Sequence, residues 1–252
     1  MEKPSISEPS PLSPTRWPAE AFSWPRSLAV FGALAVAFWI GLQLDGFVAV
    51  QVFGTTRHDI RASDLTWGIA LGQYASYLPI LAVLLIAMPW ASGRSLRELG
   101  LRGFDRTTIV AGALGAIAMY AVTIGVAELQ FLFTHQKPEE AAISFFTSTH
   151  DKALIATFTF LAVVAAPFME EFVYRGFLFN ALLRYMPVWV AAVVSGLLFG
   201  ASHASWSALL PLAASGVVLA YVYVRSGSLT ASMLTHALFN LMNVVLLSAG
   251  KS

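Results

Sequence analysis

Residues 166–176 read Ala-Pro-Phe-Met-Glu-Glu-Phe-Val-Tyr-Arg-Gly and place three ionisable side chains, Glu170, Glu171 and Arg175, in an otherwise apolar run. No ionisable residue occurs from Ala153 to Met169. A charged side chain at bilayer depth costs about 3 kcal/mol or more, so it persists where it is paired, faces water or carries function. We therefore expect the rest of the chain to be a membrane scaffold built around this stretch.

The composition is that of a polytopic membrane protein. Of the 252 residues, 57% are hydrophobic and 12% are charged, and the mean hydropathy is +0.70. Soluble domains carry about 25% charged residues, so this chain cannot cover a water-soluble surface. The net charge of +1 argues against a nucleic-acid partner, which calls for a clustered basic face. The absence of cysteine excludes disulfides, thiolate metal sites and cysteine nucleophiles.

Gaps between charged residues predict an all-α fold of seven transmembrane helices, because a helix needs about 20 apolar residues to cross. The fourth begins at Lys152 and carries the charged motif near its middle. An eighth crossing is open if the long second gap or the segment after Arg184 re-enters the bilayer. The other six predicted spans cover residues 27–44, 66–90, 106–128 (extending to 133), 188–203, 206–224 and 228–247.

The N-terminal residues 1–25 are rich in Pro, Ser and Glu, lack apolar periodicity, and are predicted to be a disordered tail. Residues 26–252 are predicted to form a single transmembrane domain. Lys and Arg set the orientation, because cytoplasmic loops carry an excess of them. With the N-terminus inside, the inner segments hold nine: Lys3, Arg16, Arg26, Arg94, Arg97, Arg102, Arg106, Arg184 and Arg225. The outer segments hold five: Arg57, Arg61, Lys137, Lys152 and Lys251. We therefore predict a cytoplasmic N-terminus.

Three of the late helices carry small polar faces. The fifth span ends at His203, one turn after Phe199, and the seventh contains His236 one turn before Asn240. Residues four apart share a helix face, so these pairs point at one spot. Lipid does not solvate such faces, and we therefore expect them to meet the glutamates of the fourth helix.

Two Glu, two His and an Asn can together hydrolyse an amide. A buried carboxylate takes a proton from water while a histidine holds that water, and His and Asn donate hydrogen bonds to the oxyanion. Arg175 would keep one of the two carboxylates ionised. A serine mechanism is disfavoured because no Asp lies in the same layer to orient a triad. A Glu and two His from separate helices could still bind a metal.

The motifs Glu-Glu-x-x-x-Arg at 170–175, Phe-x-x-x-His at 199–203 and His-x-x-x-Asn at 236–240 resemble those of the CPBP family. This family comprises intramembrane proteases related to type II CAAX prenyl endopeptidases. The resemblance covers about residues 153–247, which would form the protease core, whereas the first three helices are recognised by hydrophobicity alone.

The resemblance implies a role for each matching position. Glu170 would be the catalytic base, His203 would hold the water, and His236 with Asn240 would line the oxyanion hole. Supporting roles fall to the remaining motif residues, which are Glu171, Arg175 and Phe199. A metal-free, glutamate-dependent reaction is favoured, with zinc on Glu170, His203 and His236 as the alternative.

The predicted function is cleavage of a membrane-anchored peptide or protein, including a prenylated one, in the plasma membrane of a bacterium. The main alternative is a catalytically silent immunity or regulatory partner that uses the same cavity to bind. The structural alternative for Glu170, Glu171 and Arg175 is an ion-pair cluster that docks helices. His203, His236 and Asn240 could likewise serve as hydrogen bonds between helices.

Overall fold

The computed structural model describes residues 23–52, 67–135 and 151–249, and within these ranges it contains helices and no strand. Six of the helices are long and apolar enough to cross a membrane, and a seventh, α5, is apolar but has 15 residues. The all-α polytopic fold predicted from the sequence is confirmed. The helices are α1 (Trp24–Val52), α2 (Trp67–Ser92), α3 (Arg106–Thr134), α4 (Lys152–Leu182), α5 (Val188–Ser202), α6 (Leu209–Ser226) and α7 (Leu229–Ala249).

The seven helices correspond to the seven predicted spans, and most of their boundaries agree closely. The exception is α1, which continues to Val52 and not only to the predicted residue 44. No eighth crossing occurs in the described ranges, and residues 183–187 form a short turn between α4 and α5. Residues 1–22 of the predicted tail lie outside the described residues. The predicted end of the tail at residue 25 is wrong, because α1 already begins at Trp24, with a proline in its first turn.

Local capping explains several of the helix ends. The Asp105 carboxylate accepts a hydrogen bond from the Thr108 amide at 2.7 Å and caps α3. The Asp151 carboxylate accepts from the Ala153 amide at 2.9 Å and caps α4. Gly227 ends α6 with a φ of +62°, a conformation that glycine adopts without strain. These polar ends separate apolar helices that the hydrophobicity pattern delimits only approximately.

Glycines bring α5 and α6 into close contact. An added Cβ at Gly196 would lie 2.6 Å from the Ala213 carbonyl oxygen, and one at Gly200 would lie 2.6 Å from the Leu209 carbonyl oxygen. Small residues four apart allow backbones to approach in membranes, where association depends on close packing. The α6 helix lies near the centre of the helix bundle, because 50% of its most apolar stretch is buried, against 17% for α1.

The α4 helix contains two π-helical stretches, over Leu161–Ala165 and Phe172–Phe179. Pro167 follows the first, and because proline lacks an N–H it cannot donate to a carbonyl one turn earlier. Wide turns of this kind leave carbonyls available to other partners and are frequent at functional sites. Glu170 and Glu171 lie on the ordinary helical turn between the two stretches.

Candidate active site

Glu171 is fully buried and accepts hydrogen bonds from two helices. Its Oε1 accepts from Arg175 Nη1 at 2.8 Å and lies 3.2 Å from His236 Nδ1. Its Oε2 accepts from Ser232 Oγ at 2.6 Å. Burying a carboxylate is costly unless the charge is paired and hydrogen-bonded, and both oxygens of Glu171 have such partners. Glu171 therefore joins α4 to α7 and is occupied by protein partners.

Arg175 extends this cluster to α6. Its Nη1 donates to Glu171, and its Nη2 donates to the Gly216 carbonyl oxygen at 2.8 Å. An added Cβ at Gly216 would lie 2.7 Å from the Gly196 Cα, so α5 and α6 are also in close contact at this glycine. The guanidinium also lies over the Phe199 ring, 4.9 Å from its centroid. Arg175 thus compensates the Glu171 charge and fixes α4 against two other helices.

Glu170, the preceding residue, has a different environment. Its side chain is 27% exposed, and its Oε2 is buried without a hydrogen-bond partner among the described residues. Successive residues of an α-helix point about 100° apart, so Glu171 faces the core while Glu170 faces a different direction. Glu170 is therefore the carboxylate of the pair with an oxygen that no described protein group engages.

His236 lies between the two glutamates. Its Nδ1 faces Glu171 Oε1 at 3.2 Å, and its Nε2 faces Glu170 Oε2 at 3.9 Å. Because an ionised carboxylate only accepts, the hydrogen-bond network assigns a proton to Nδ1. The distance of 3.9 Å is too long for a direct hydrogen bond, so the two groups face each other without a direct bond.

The Phe199 ring contacts three other rings of the site. Its ring centroid lies 5.0 Å from that of His203, 5.7 Å from that of His236 and 5.2 Å from that of Tyr174. Phe199 itself is 1% exposed. It therefore fills the space beneath the polar groups and connects the two histidines.

His203 is the C-terminal cap of α5 and is exposed. Its Nδ1 lies 2.9 Å from the Phe199 carbonyl oxygen, to which a protonated Nδ1 donates, and its Nε2 is then directed elsewhere. The structure brings His203 to the same aromatic contact as His236. Within the described ranges no hydrogen bond or ion pair joins His203 to Glu170 or His236.

Asn240 forms a bond that the sequence does not reveal. Its Nδ2 donates to the Ala162 carbonyl oxygen of α4 at 2.7 Å. Ala162 lies in the first π-helical stretch, so the amide satisfies a carbonyl at an irregular turn. One N–H of this amide therefore holds α7 against α4, and the second remains for the oxyanion role that the resemblance implies.

Sequence reasoning missed several residues that the structure places around this cluster. Ser232 continues the spacing of His236 and Asn240 by one more turn of α7, so the same four-residue rule could have found it. Gly216 contributes a backbone carbonyl, which leaves no signal in the sequence. Tyr77 on α2 lies close enough to Glu170 for the two to interact electrostatically, and Gln73 one turn earlier marks the same polar face.

The residues proposed for zinc do not form a metal site in this arrangement. Within residues 23–52, 67–135 and 151–249, no group of three His, Asp or Glu side chains could hold a metal ion. His203 also directs Nδ1 to a backbone carbonyl.

Comparisons with known proteins bear on the same region. Residues 152–242 match the family model described as type II CAAX prenyl endopeptidase Rce1-like. The chain is 28% identical over 83 residues to the Bacillus subtilis (strain 168) protein named "Putative membrane peptidase YdiL". That alignment covers 33% of this chain, and the chain spans about a third (34%) of the length of this curated relative. No solved structure matches.

The matched residues run from the start of α4 to the middle of α7 and contain all three motifs. They exclude α1 to α3, which the sequence motifs also left uncharacterised. Both similarities point to a membrane protease. Residues 152–242 are therefore similar to the Rce1-like family, in agreement with the CPBP resemblance of the three motifs.

Proposed function

We propose that the chain is an intramembrane endopeptidase that hydrolyses a peptide bond of a membrane-associated substrate with water activated by Glu170. The observation that carries this proposal is the contrast between the adjacent glutamates. Glu171 is saturated by Arg175, His236 and Ser232, whereas Glu170 has a buried oxygen without a hydrogen-bond partner in the described part of the chain. A purely structural ion-pair cluster does not require the second, unpaired carboxylate.

The geometry suggests how the groups divide the work. A water between Glu170 Oε2 and His236 Nε2 would give its proton to Glu170 as its oxygen attacks the scissile carbonyl carbon. The Glu170 carboxylic acid then returns the proton to the leaving amine. In its doubly protonated form, His236 is proposed to donate from Nε2 to the oxyanion while Nδ1 donates to Glu171 Oε1.

Asn240 and His203 would complete the site. The second N–H of the Asn240 amide is proposed as a further oxyanion donor, held in place by the bond to Ala162. His203 is proposed to hold the water through Nε2, because its Nδ1 is engaged by the Phe199 carbonyl.

An apolar groove beside the site supports a substrate with a lipid-like part. The groove has a volume of about 350 Å³ and lies between α1, α2, α4 and α5. Its lining includes Phe38, Ile80 and Tyr174. Because the Tyr174 ring also contacts Phe199, the groove is one aromatic ring away from the polar cluster. An acyl or prenyl chain in this groove would hold the attached peptide near Glu170.

The orientation and compartment belong to the same proposal. Among the described residues, every arginine except Arg175 lies at the membrane face where α1 begins and α2 ends; these are Arg26, Arg94, Arg97, Arg102, Arg106, Arg184 and Arg225. The excess of cationic residues on cytoplasmic faces supports a cytoplasmic N-terminus in a bacterial plasma membrane.

The test is cleavage of fluorogenic prenylated and unprenylated membrane peptides by purified protein. Glu170→Gln keeps the shape of the side chain and removes the base, so we expect cleavage to fall at least about 100-fold. Glu128→Gln on the exposed outer part of α3 is the matched control and should retain full activity. Full activity of Glu170→Gln would refute the glutamate mechanism. Absence of cleavage in all samples, the wild type included, would instead support the alternative of a catalytically silent partner.

A chelator series tests the metal-free form of the proposal. Activity is expected to survive strong chelators at concentrations that strip zinc from protein sites. If activity is lost in chelator and restored by added zinc, the metal-free mechanism is wrong. Glu170, His203 and His236 would then be the candidate ligands in a rearranged site.

A further inference from the structure

The loop between α2 and α3, residues 93–105, forms a concave surface at the arginine-rich membrane face. The concavity has a volume of about 930 Å³, and its lining includes two basic and two acidic side chains beside an aromatic one: Arg97, Arg102, Glu98, Asp105 and Phe104. It lies outside the polar cluster of α4, α5 and α7. We call it the loop concavity.

A net positive charge is the first property of this loop. Arg94, Arg97, Arg102 and Arg106 are all exposed, and none of them forms an ion pair within the described part of the chain. Four arginines against Glu98 and Asp105 leave a net charge of +2 over residues 94–106 (4 − 2).

The two carboxylates of the loop are engaged by its own backbone and hydroxyl groups. Glu98 accepts from the Ser95 amide at 2.8 Å and from the Ser95 hydroxyl at 2.7 Å. Asp105 accepts from the Thr108 amide at 2.7 Å and from the Thr107 hydroxyl at 2.9 Å. Their positions are set by these bonds, which leaves the guanidinium groups available to an external anion.

The loop is fixed to the junction between α6 and α7. The Gly100 carbonyl accepts from the Leu229 amide at 2.7 Å, and Gly100 has a φ of +98° that suits glycine. The Arg102 amide donates to Thr230 Oγ1 at 3.0 Å, and the same hydroxyl donates to the Arg102 carbonyl at 2.6 Å. The arginines therefore project from a preorganised backbone, which reduces the entropy lost on binding.

Exposed aromatic side chains place the loop at the depth of lipid headgroups. Phe104 is 71% exposed and Trp90, in the last turn of α2, is 57% exposed. The Arg26 guanidinium lies 5.8 Å from the centroid of the Trp90 ring. Tryptophan is enriched at the membrane–water interface, which supports placing Trp90 and the adjoining loop at that depth.

We propose that the loop concavity binds the phosphate headgroup of an anionic phospholipid, with Arg97 and Arg102 as its principal ligands. Guanidinium groups present paired donors that match phosphate oxygens. Basic pockets at the cytoplasmic ends of membrane helices bind anionic headgroups in this way. The proposal is independent of proteolysis.

The experiment measures binding of dioctanoyl phosphatidylglycerol to the full chain in a neutral detergent, with dioctanoyl phosphatidylcholine as the zwitterionic comparison. Inorganic phosphate and glycerol phosphate at matched concentrations are the soluble competitors. The test variant is Arg97→Gln with Arg102→Gln. The matched control is Arg184→Gln with Arg225→Gln, which removes the same charge from the same membrane face outside the concavity.

We expect the wild type to prefer phosphatidylglycerol, the test variant to lose at least about tenfold in affinity, and the control to lose less than about threefold. Equal losses in both variants would show a diffuse charge effect and overturn the site. Competition by inorganic phosphate at equal concentration, or equal binding of the two lipids, would also overturn it. If the double variant unfolds, the single variant Arg97→Gln replaces it, because the Arg97 side chain has no hydrogen-bond partner in the described part of the chain. Its affinity for phosphatidylglycerol should fall at least about threefold.

Discussion

Glu171 and His236 lie 65 residues apart in the sequence and are joined by a contact of 3.2 Å between Oε1 and Nδ1. This contact sets which ring nitrogen carries a proton and directs the other toward Glu170. It also brings α4 and α7 to the same level in the membrane. The relationship depends on Ser232 and Arg175, which occupy the remaining positions around the Glu171 carboxylate.

Replacing Arg175 by Met should destabilise the protein by about 3–5 kcal/mol, because it leaves the Glu171 carboxylate buried without a compensating cation. The measurement is the thermal unfolding midpoint in detergent. The double variant Arg175→Met with Glu171→Gln removes both charges and should recover part of the loss. If the double variant is as unstable as the sum of the two single variants, the charge pair is not the cause.

Ser232→Ala should cost about 1–3 kcal/mol, because it removes a hydrogen bond of 2.6 Å to a buried, charged acceptor. Cleavage should fall as well, since the Glu171 carboxylate would be less firmly held against His236. Ser248→Ala is the matched control, because the Ser248 hydroxyl donates only to a backbone carbonyl at an exposed position. Similar unfolding midpoints for the two variants would contradict the role of Ser232.

Gly216→Ala should destabilise the protein by about 1–3 kcal/mol, because the added methyl group would lie 2.7 Å from the Gly196 Cα. Separation of α5 from α6 would also displace the carbonyl that accepts from Arg175. Gly125→Ala on α3 is the control, since no atom lies within 4 Å of its added Cβ. There we expect a neutral or slightly stabilising effect on the unfolding midpoint.

Asp105 should give the α3 helix a pH-dependent stability. The Thr108 amide, followed by the Thr108 and Thr107 side chains, lowers the pKa of the Asp105 carboxyl below its ordinary value of 3.8. A group whose pKa is lower in the folded state stabilises above its unfolded pKa, and that contribution disappears as the pH falls through the folded pKa.

The difference in unfolding midpoint between wild type and Asp105→Ala should therefore be constant above about pH 5 and should shrink below about pH 4. Asp105→Asn retains a capping acceptor but does not titrate, so its midpoint relative to Asp105→Ala should not change over this range. A wild-type difference that is independent of pH down to about pH 2 would show that the capping bond does not depend on the ionised carboxylate.

The spans were predictable because membrane crossing is a local property. Every stretch such as 106–134 or 229–249 must satisfy its own backbone and present apolar side chains to lipid, whatever the other helices do. The same locality made the paired positions in His236-x-x-x-Asn240 recognisable, since residues four apart share a face within one helix.

Site residues were harder to place where partners came from other helices. Asn240 shares a face with His236 as expected, but its bond to Ala162 depends on an irregular turn of α4. His203 and His236 meet through Phe199 and not through a direct hydrogen bond. Neither relationship follows from spacing along the chain.

The sequence alone determined that this protein crosses the membrane with apolar helices and that three of them carry polar residues, because the energetic penalty of charge in lipid applies residue by residue. It did not distinguish the adjacent carboxylates by their surroundings. Only the tertiary structure decided that Glu171 is enclosed by Arg175, Ser232 and His236 while Glu170 keeps an unpaired oxygen. The reason is that the two side chains point in directions about 100° apart, and helices distant in the sequence determine which direction is enclosed.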